Sequence, residues 1–287
     1  MEDTSKKRPN LFVIGAMKSG TTSLHHYLNL HPDIFMSDPK ELWYFVQEKN
    51  WPRGEAWYLD HFRQAKDAAY RGESSADYTM FPIYRGVPER LHGFAPAARL
   101  IYIMREPVQR AISHYWYDVQ ASGEKRRMTE AVGREEKYVY YSDYALQLER
   151  YYRFFPRQQI YPLSFESLVT DPAGAMSAIF TWLGLDPAAC DPSGLGRPHN
   201  ATPDRVEQVR GMGALHRFRY SRFWDRLHPL APRILLQAGR RLGYRTLDRR
   251  AATPPEIVAY LTDRLAESRL ALFRLLERDF PEWDEVA

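Results

Sequence analysis

The sequence predicts an α/β protein with a central parallel sheet flanked by helices, and three observations carry that reading. The apolar, β-branched run Leu11–Gly15 passes through a glycine-punctuated turn into a stretch with Leu24, Leu28 and Leu30 at helical spacing, so strand, tight loop and helix follow one another directly. The segment Arg99–Met104 (Arg-Leu-Ile-Tyr-Ile-Met) is nearly all apolar, as a strand buried on both faces must be, and Pro107 follows where a first helical residue loses little by lacking an N–H. Strand-like and helix-like segments then keep alternating, which a parallel sheet needs for its crossovers.

The elements follow in order. Leu11–Gly15 is the first strand and 21–29 the first helix. A strand at 68–73 ends in the loop Ser74-Ser75-Ala76-Asp77-Tyr78, and 82–94 reads as a helix. Arg99–Met104 is the central strand, and the helix opened by Pro107 runs to about Val119. Residues 122–137 are polar and charged and read as a mobile loop or lid. A helix at 144–155, a strand at 159–165 and a helix over Pro172–Leu183, stopped by Gly184, come next. Residues 191–204 are rich in Gly, Pro, Asn and Ser and read as a loop. Residues 211–250 are basic and aromatic and read as a helical cover. Thr253-Pro254-Pro255-Glu256 has capping-box spacing before a long helix with Ile257, Leu261, Leu265, Leu272 and Leu276 on one face, which makes the C-terminal part helical. Residues 1–9 are expected to be disordered. With no repeat and no low-complexity linker, residues 1–287 are expected to form a single domain.

Bulk properties bound the function. Among 287 residues, 40 Lys and Arg against 36 Asp and Glu give a net charge of +4, a mild bias that suits an anionic ligand without calling for nucleic acid. A single cysteine, Cys190, leaves no intrachain disulfide and no cysteine-based zinc cluster. Met1 to Arg8 is polar and no apolar run reaches membrane-spanning length, so a cytoplasmic location is expected. The aromatics Phe218, Tyr220, Phe223 and Trp224 interleave with Arg217, Arg219, Arg222 and Arg226, which fits an amphipathic cover with a basic rim or a peripheral membrane contact.

The chemistry concentrates at the first strand–helix junction. Such a junction aims backbone N–H groups and the helix's partial positive charge at one spot, which suits phosphate or sulfate. A Walker A loop reads G-x-x-x-x-G-K-[ST]. Gly15, Gly20 and Thr22 occupy its places, but Thr21 stands in the lysine slot and the lysine has moved to Lys18. A second anchor, Arg105-Glu-Pro-Val-Gln-Arg110, begins just past a central strand, and Ser113 lies two turns along the following helix. Arginine offers a planar fork for phosphate and serine a neutral donor. Arg110 fits either a cofactor contact or a pairing with a carboxylate such as Glu106. His31, in Leu30-His31-Pro32-Asp33, reads as a structural residue of a helix-ending turn.

Together these motifs resemble the sulfotransferases that use 3′-phosphoadenosine-5′-phosphosulfate (PAPS), nearest in pattern to the glycosaminoglycan and carbohydrate type. The loop G-x-x-K-[ST]-G-T-[TS] is similar to that family's 5′-phosphosulfate loop, which implies a P-loop-like fold and places Lys18, Ser19, Gly20, Thr21, Thr22 and Ser23 on the cofactor. The family's segment after the central strand implies that Arg105 and Ser113 hold the 3′-phosphate. Pro39-Lys40-Glu41-Leu-Trp-Tyr44-Phe45 resembles K-E-x-x-[YF]-F, which implies Glu41 as the base, with Lys40 beside it and Lys18 on the leaving group. Gly72-Glu73-Ser74-Ser75-Ala76-Asp77-Tyr78 resembles the substrate-side segment E-x-S-x-x-Y. Glu73 there either orients Lys18, meets the acceptor or is a buried structural carboxylate, and Tyr78 faces the substrate. Gly196-Arg197 stands where the family has a further 3′-phosphate loop, so Arg197 is a partial match. The resemblance implies PAPS as donor, adenosine 3′,5′-bisphosphate as product, no metal, and a carbohydrate or small-molecule alcohol as acceptor. The competing readings are a P-loop kinase or nucleotide hydrolase with a degenerate loop, and a nucleotide-binding module without turnover.

Overall fold

A computed structural model describes residues 8–197, 205–209, 244–249 and 252–284. The chain divides into two compact units, one of Met1–Ala111, Val139–Ala201 and Thr262–Ala287, the other of Ile112–Tyr138 and Thr202–Leu261. The first unit holds a five-stranded sheet built from β1 (Leu11–Gly15), β2 (Ile34–Met36), β3 (Tyr70–Ser74), β4 (Arg99–Met104) and β5 (Ile160–Ser164) in the order β2-β3-β1-β4-β5. Every neighbouring pair is parallel, with Leu11 opposite Gly72 of β3 and opposite Arg99 of β4. The chain leaves β1 for one side of the sheet and later crosses to the other, so the order reverses at β1. Open α/β sheets bind ligands outside the strand carboxyl ends at such a reversal.

The helices are α1 (Thr21–Leu28), α2 (Gly54–Asp60), α3 (Val87–Phe94), α4 (Pro107–Tyr117), α5 (Met128–Arg134), α6 (Lys137–Tyr140), α7 (Tyr144–Tyr152), α8 (Phe165–Thr170), α9 (Pro172–Leu183) and α10 (Pro255–Leu276). Alternating side chains of the central strands feed two cores, as the two-residue period of a strand requires. Phe12, Ile14, Leu100, Tyr102 and Met104 join one core with Tyr44, Phe45, Tyr58, Phe94 and Trp283. Leu11, Val13, Ile101 and Ile103 join the other with Leu24, Leu28, Ile179 and Phe180. The parallel sheet and flanking helices match the expected fold class.

Several expectations need correction. Arg8 and Pro9 are not loose: Arg8 pairs with Glu55 at 2.7 Å and Pro9 is buried. The helix expected over 82–94 starts only at Val87, because Gly86 takes a left-handed conformation (φ 71°) just before it. The loop expected over 122–137 contains α5, and Arg126 ties it down by pairing with Glu124 and with Glu135 at 3.0 Å. Helix α10 begins at Pro255, two residues after Thr253, whose hydroxyl donates to the Arg249 carbonyl at 2.8 Å. Strand β2 and helix α2 had no strong periodic signal and were not foreseen. In the second unit, Arg205–Val209 and Tyr244–Asp248 form an antiparallel pair, so part of the expected helical cover is strand. The arginines and aromatics at 217–226 lie outside the described residues. Among the described residues no helix is long and apolar enough to cross a membrane.

Candidate anion-binding and acceptor site

The loop after β1 is shaped by two close approaches. Gly20 has φ 87°, and a Cβ there would meet Cδ2 of Phe165 at 2.6 Å. Gly15 has φ 150°, and a Cβ would meet Thr79 Oγ1 at 2.0 Å. Lys18 also lies in the left-handed region (φ 69°), a conformation more common at binding loops than elsewhere. Gly20 precedes α1 and no side chain caps that helix. Its first N–H groups therefore have no partner within the helix and point at the loop. Ser19 is fully buried, yet its hydroxyl has no hydrogen-bond partner among the described residues. The neighbouring Tyr144 hydroxyl is already engaged, donating to the Arg105 carbonyl at 2.8 Å and accepting its N–H at 3.3 Å. A buried, unsatisfied hydroxyl beside uncapped N–H groups fits an anion.

Arg105 stands at the carboxyl end of β4. Its guanidinium lies 5.2 Å from the Phe165 ring centroid, and burial draws its pKa below the usual value while Glu166 and Glu106 oppose that. Phe165 thus lies against both Gly20 and Arg105. The sequence pattern places Phe165 at the end of the strand expected over 159–165, whereas it opens α8. Its place just beyond the carboxyl end of β5 was the available signal. Ser113 is buried on α4, within the second unit. Arg110, for which the sequence left open a cofactor contact or a carboxylate pairing, is fully buried and donates from Nε to Ser142 Oγ at 2.6 Å. Arg197 is exposed, and its carbonyl accepts the Tyr27 hydroxyl at 2.9 Å. His31 is structural: Nδ1 accepts the Asp33 N–H at 3.2 Å, and Nε2 reaches the Asp186 carbonyl at 3.0 Å.

Glu41 lies beside the residues that follow β3. Its Oε2 accepts the Ala76 N–H at 3.1 Å and its Oε1 pairs with Lys40. Two residues on, Trp43 has φ 48°, rare for a bulky side chain, and its indole N–H is buried without a partner among the described residues. Lys49 Nζ lies 4.1 Å from the Trp43 ring centroid and pairs with Asp77. His25, on α1, bonds from Nδ1 to Ser74 Oγ at 2.9 Å. Burial, then the Lys40 and His26 charges, hold its pKa down at about 3. Trp43, at an unspecified position of the K-E-x-x-[YF]-F pattern, and His25, outside every motif, carried no signal of their own in the sequence. Glu73 and Tyr78 are both buried, and Tyr78 donates to Glu73. Among the described residues no group of three or more His, Cys, Asp or Glu could hold a metal ion.

Comparisons with known proteins place this arrangement. Residues 8–194 match the model of the sulfotransferase domain. Heparan sulfate glucosamine 3-O-sulfotransferase 3A1 of Homo sapiens is 28% identical over 194 residues, covering 64% of this chain and 46% of the relative. Heparan sulfate glucosamine 3-O-sulfotransferase 6 of Homo sapiens is 30% identical over 196 residues, covering 65% of this chain and 55% of the relative. The chain therefore spans about half the length of these curated relatives. The crystal structure of a sulfotransferase from Alicyclobacillus acidocaldarius shares the fold, with a TM-score of 0.69 at 23% identity, covering 96% of this chain and 99% of that one. With the family model matched from before β1 to beyond α9, the chain belongs to the sulfotransferase domain family.

Proposed function

We propose that the protein transfers a sulfuryl group from PAPS to a carbohydrate or small-molecule hydroxyl. The observation that carries this reading is the loop itself: a buried, unsatisfied Ser19 hydroxyl and uncapped α1 N–H groups, joined through Phe165 to Arg105. When bound, PAPS would supply a sulfuryl group on an anionic phosphate leaving group. Lys18, Ser19 and the N–H groups from Gly20 to Ser23 would hold the 5′ end and neutralise charge that develops there. By the family resemblance, Arg105 and Ser113 would hold the 3′-phosphate. Glu41 is exposed enough to take the acceptor's proton, and Lys40 and the Ala76 N–H fix its orientation. The heparan sulfate relatives support a carbohydrate acceptor.

Thermal unfolding with added nucleotides tests the donor assignment. Adenosine 3′,5′-bisphosphate should raise the melting temperature well above the shift given by ATP with Mg²⁺, since a ligand of the folded state stabilises it. Equal stabilisation by ATP–Mg²⁺, with none by the bisphosphate, would favour a kinase-like protein. An acceptor panel with PAPS, read by mass spectrometry for a gained sulfonate, then identifies the hydroxyl. On that acceptor Glu41→Gln should cut turnover by ~10²–10⁴-fold while bisphosphate affinity stays near wild type.

A further inference from the structure

Glu73 sits fully buried at the end of β3. Two hydroxyls converge on its carboxyl group: Tyr78 donates to Oε1, and Ser75 donates to Oε2 at 3.4 Å. Both hydroxyls also serve the segment that carries Glu41. Ser75 Oγ accepts the Trp43 N–H at 3.0 Å, and the Tyr78 oxygen accepts the Phe45 N–H at 3.3 Å. A third bond, from the Ala76 N–H to Glu41 Oε2 at 3.1 Å, closes the same junction. The arrangement has a plain logic. A hydroxyl offers one hydrogen and two lone pairs, and it is a well-placed acceptor only when its own hydrogen is directed elsewhere. Glu73 takes that role for both hydroxyls at once.

We propose that Glu73 is a positioning residue: through Ser75 and Tyr78 it docks the Trp43–Phe45 backbone onto the residues after β3, and so fixes Glu41 where it meets the acceptor. The inference rests on Glu41 being the base. Trp43 supplies an independent sign of the docking, because its left-handed backbone needs surrounding structure to hold it. The groups facing Glu73 are Tyr58 from α2, Tyr78 and Ser75 from the following turn, Glu41, and Tyr151 from α7. Burial pushes Glu73 up to about 8, with the Tyr78 and Tyr58 hydroxyls opposing that, the Glu41 charge adding to it and the Ser75 hydroxyl opposing it again. Near pH 7 the carboxyl is therefore largely neutral, a state that a glutamine amide imitates.

Amide hydrogen exchange on the full chain with bound adenosine 3′,5′-bisphosphate tests this. Glu73→Leu fills similar space and deletes both contacts. It should speed exchange at Trp43, Phe45 and Ala76 by about tenfold or more, leaving β1 and β4 amides unchanged. Glu73→Gln keeps one acceptor oxygen and should restore protection at Trp43 or at Phe45. On the acceptor from the panel, Glu73→Leu should lower kcat by ~10-fold or more with KM for PAPS nearly unchanged. If Glu73→Leu does not fold, Ser75→Ala and Tyr78→Phe divide the question: the first should expose Trp43 alone and the second Phe45 alone. Wild-type protection at Trp43 and Phe45 in Glu73→Leu, or loss spread evenly over the sheet, overturns the proposal. So does either single-hydroxyl variant exposing both amides. Failure of the sulfotransferase reading would show itself separately, as no stabilisation of the wild-type chain by the bisphosphate.

Discussion

His25 and Glu73 are buried ionisable side chains with opposite demands on pH. Burial holds His25 down at about 3, against an ordinary value of 6.5, so the unfolded chain takes up a proton in that window and the folded chain resists it. Its contribution to stability is complete above 6.5 and is lost as pH falls toward 3, with a slope of at most about 1.4 kcal/mol per pH unit. Glu73 runs the other way. Its folded value of about 8 exceeds the ordinary 4.5, so the folded state holds the extra proton and stability falls as pH rises from 4.5 to 8. His25→Asn keeps a polar group against Ser74 but cannot gain the proton. Relative to wild type it should therefore gain stability as pH drops from 6.5 to 4. Glu73→Gln should gain relative to wild type as pH rises from 5 to 8. Urea denaturation across that range measures both. Parallel curves for variant and wild type would mean that these groups titrate as they do in the unfolded chain.

At the scale of elements, the loop and its helix show what the sequence made legible. Leu11–Gly15, Arg99–Met104 and Pro172–Leu183 appear with the boundaries the sequence indicated, because apolar runs, a glycine stop and a Pro start are local signals. Strand β2 has only three residues and α2 only seven, too short for either periodicity to register. The glycine turn after β1 was legible for the same local reason, while Phe165, which packs against it, lies some 145 positions along the chain from Gly20, and only the fold brings them together. That contact makes a prediction. Gly20→Ala places a Cβ 2.6 Å from Phe165 in a left-handed backbone. It should cost ~1–3 kcal/mol of stability and weaken bisphosphate binding about tenfold. In Gly20→Ala/Phe165→Ala the steric part disappears, so the double variant should lose less stability than the sum of the singles, as contacting residues do. Strict additivity in a denaturation cycle would show that Phe165 does not press on Gly20.

At the scale of the first unit, the segment Phe280–Trp283 closes the core that the sheet opens at Phe12. Trp283 is fully buried and stacks on Phe280 with centroids 4.4 Å apart and an angle of 13°. Its indole N–H donates to Glu166 Oε2 at 2.9 Å, and Glu166 Oε1 accepts the Glu106 N–H at 3.0 Å. One carboxylate therefore ties the last stretch of this unit to the residue after Arg105, so core packing and the Arg105 backbone share a support. Ser164 also donates to Glu166 Oε2, at 3.1 Å, and would remain if the indole were lost. Trp283→Ala removes both the packing and the N–H and should destabilise by ~3–5 kcal/mol, the usual range for a buried aromatic. Trp283→Phe keeps much of the apolar area but drops the bond to a carboxylate, and should cost ~1.5–3 kcal/mol. If Glu166 positions the Arg105 backbone, both variants should also weaken adenosine 3′,5′-bisphosphate, and the loss should be similar in the two because each removes the same hydrogen bond. Calorimetric titration below the variants' melting range separates the effects. Bisphosphate affinity that tracks stability, with Trp283→Ala far weaker than Trp283→Phe, would assign the linkage to packing instead of to Glu166.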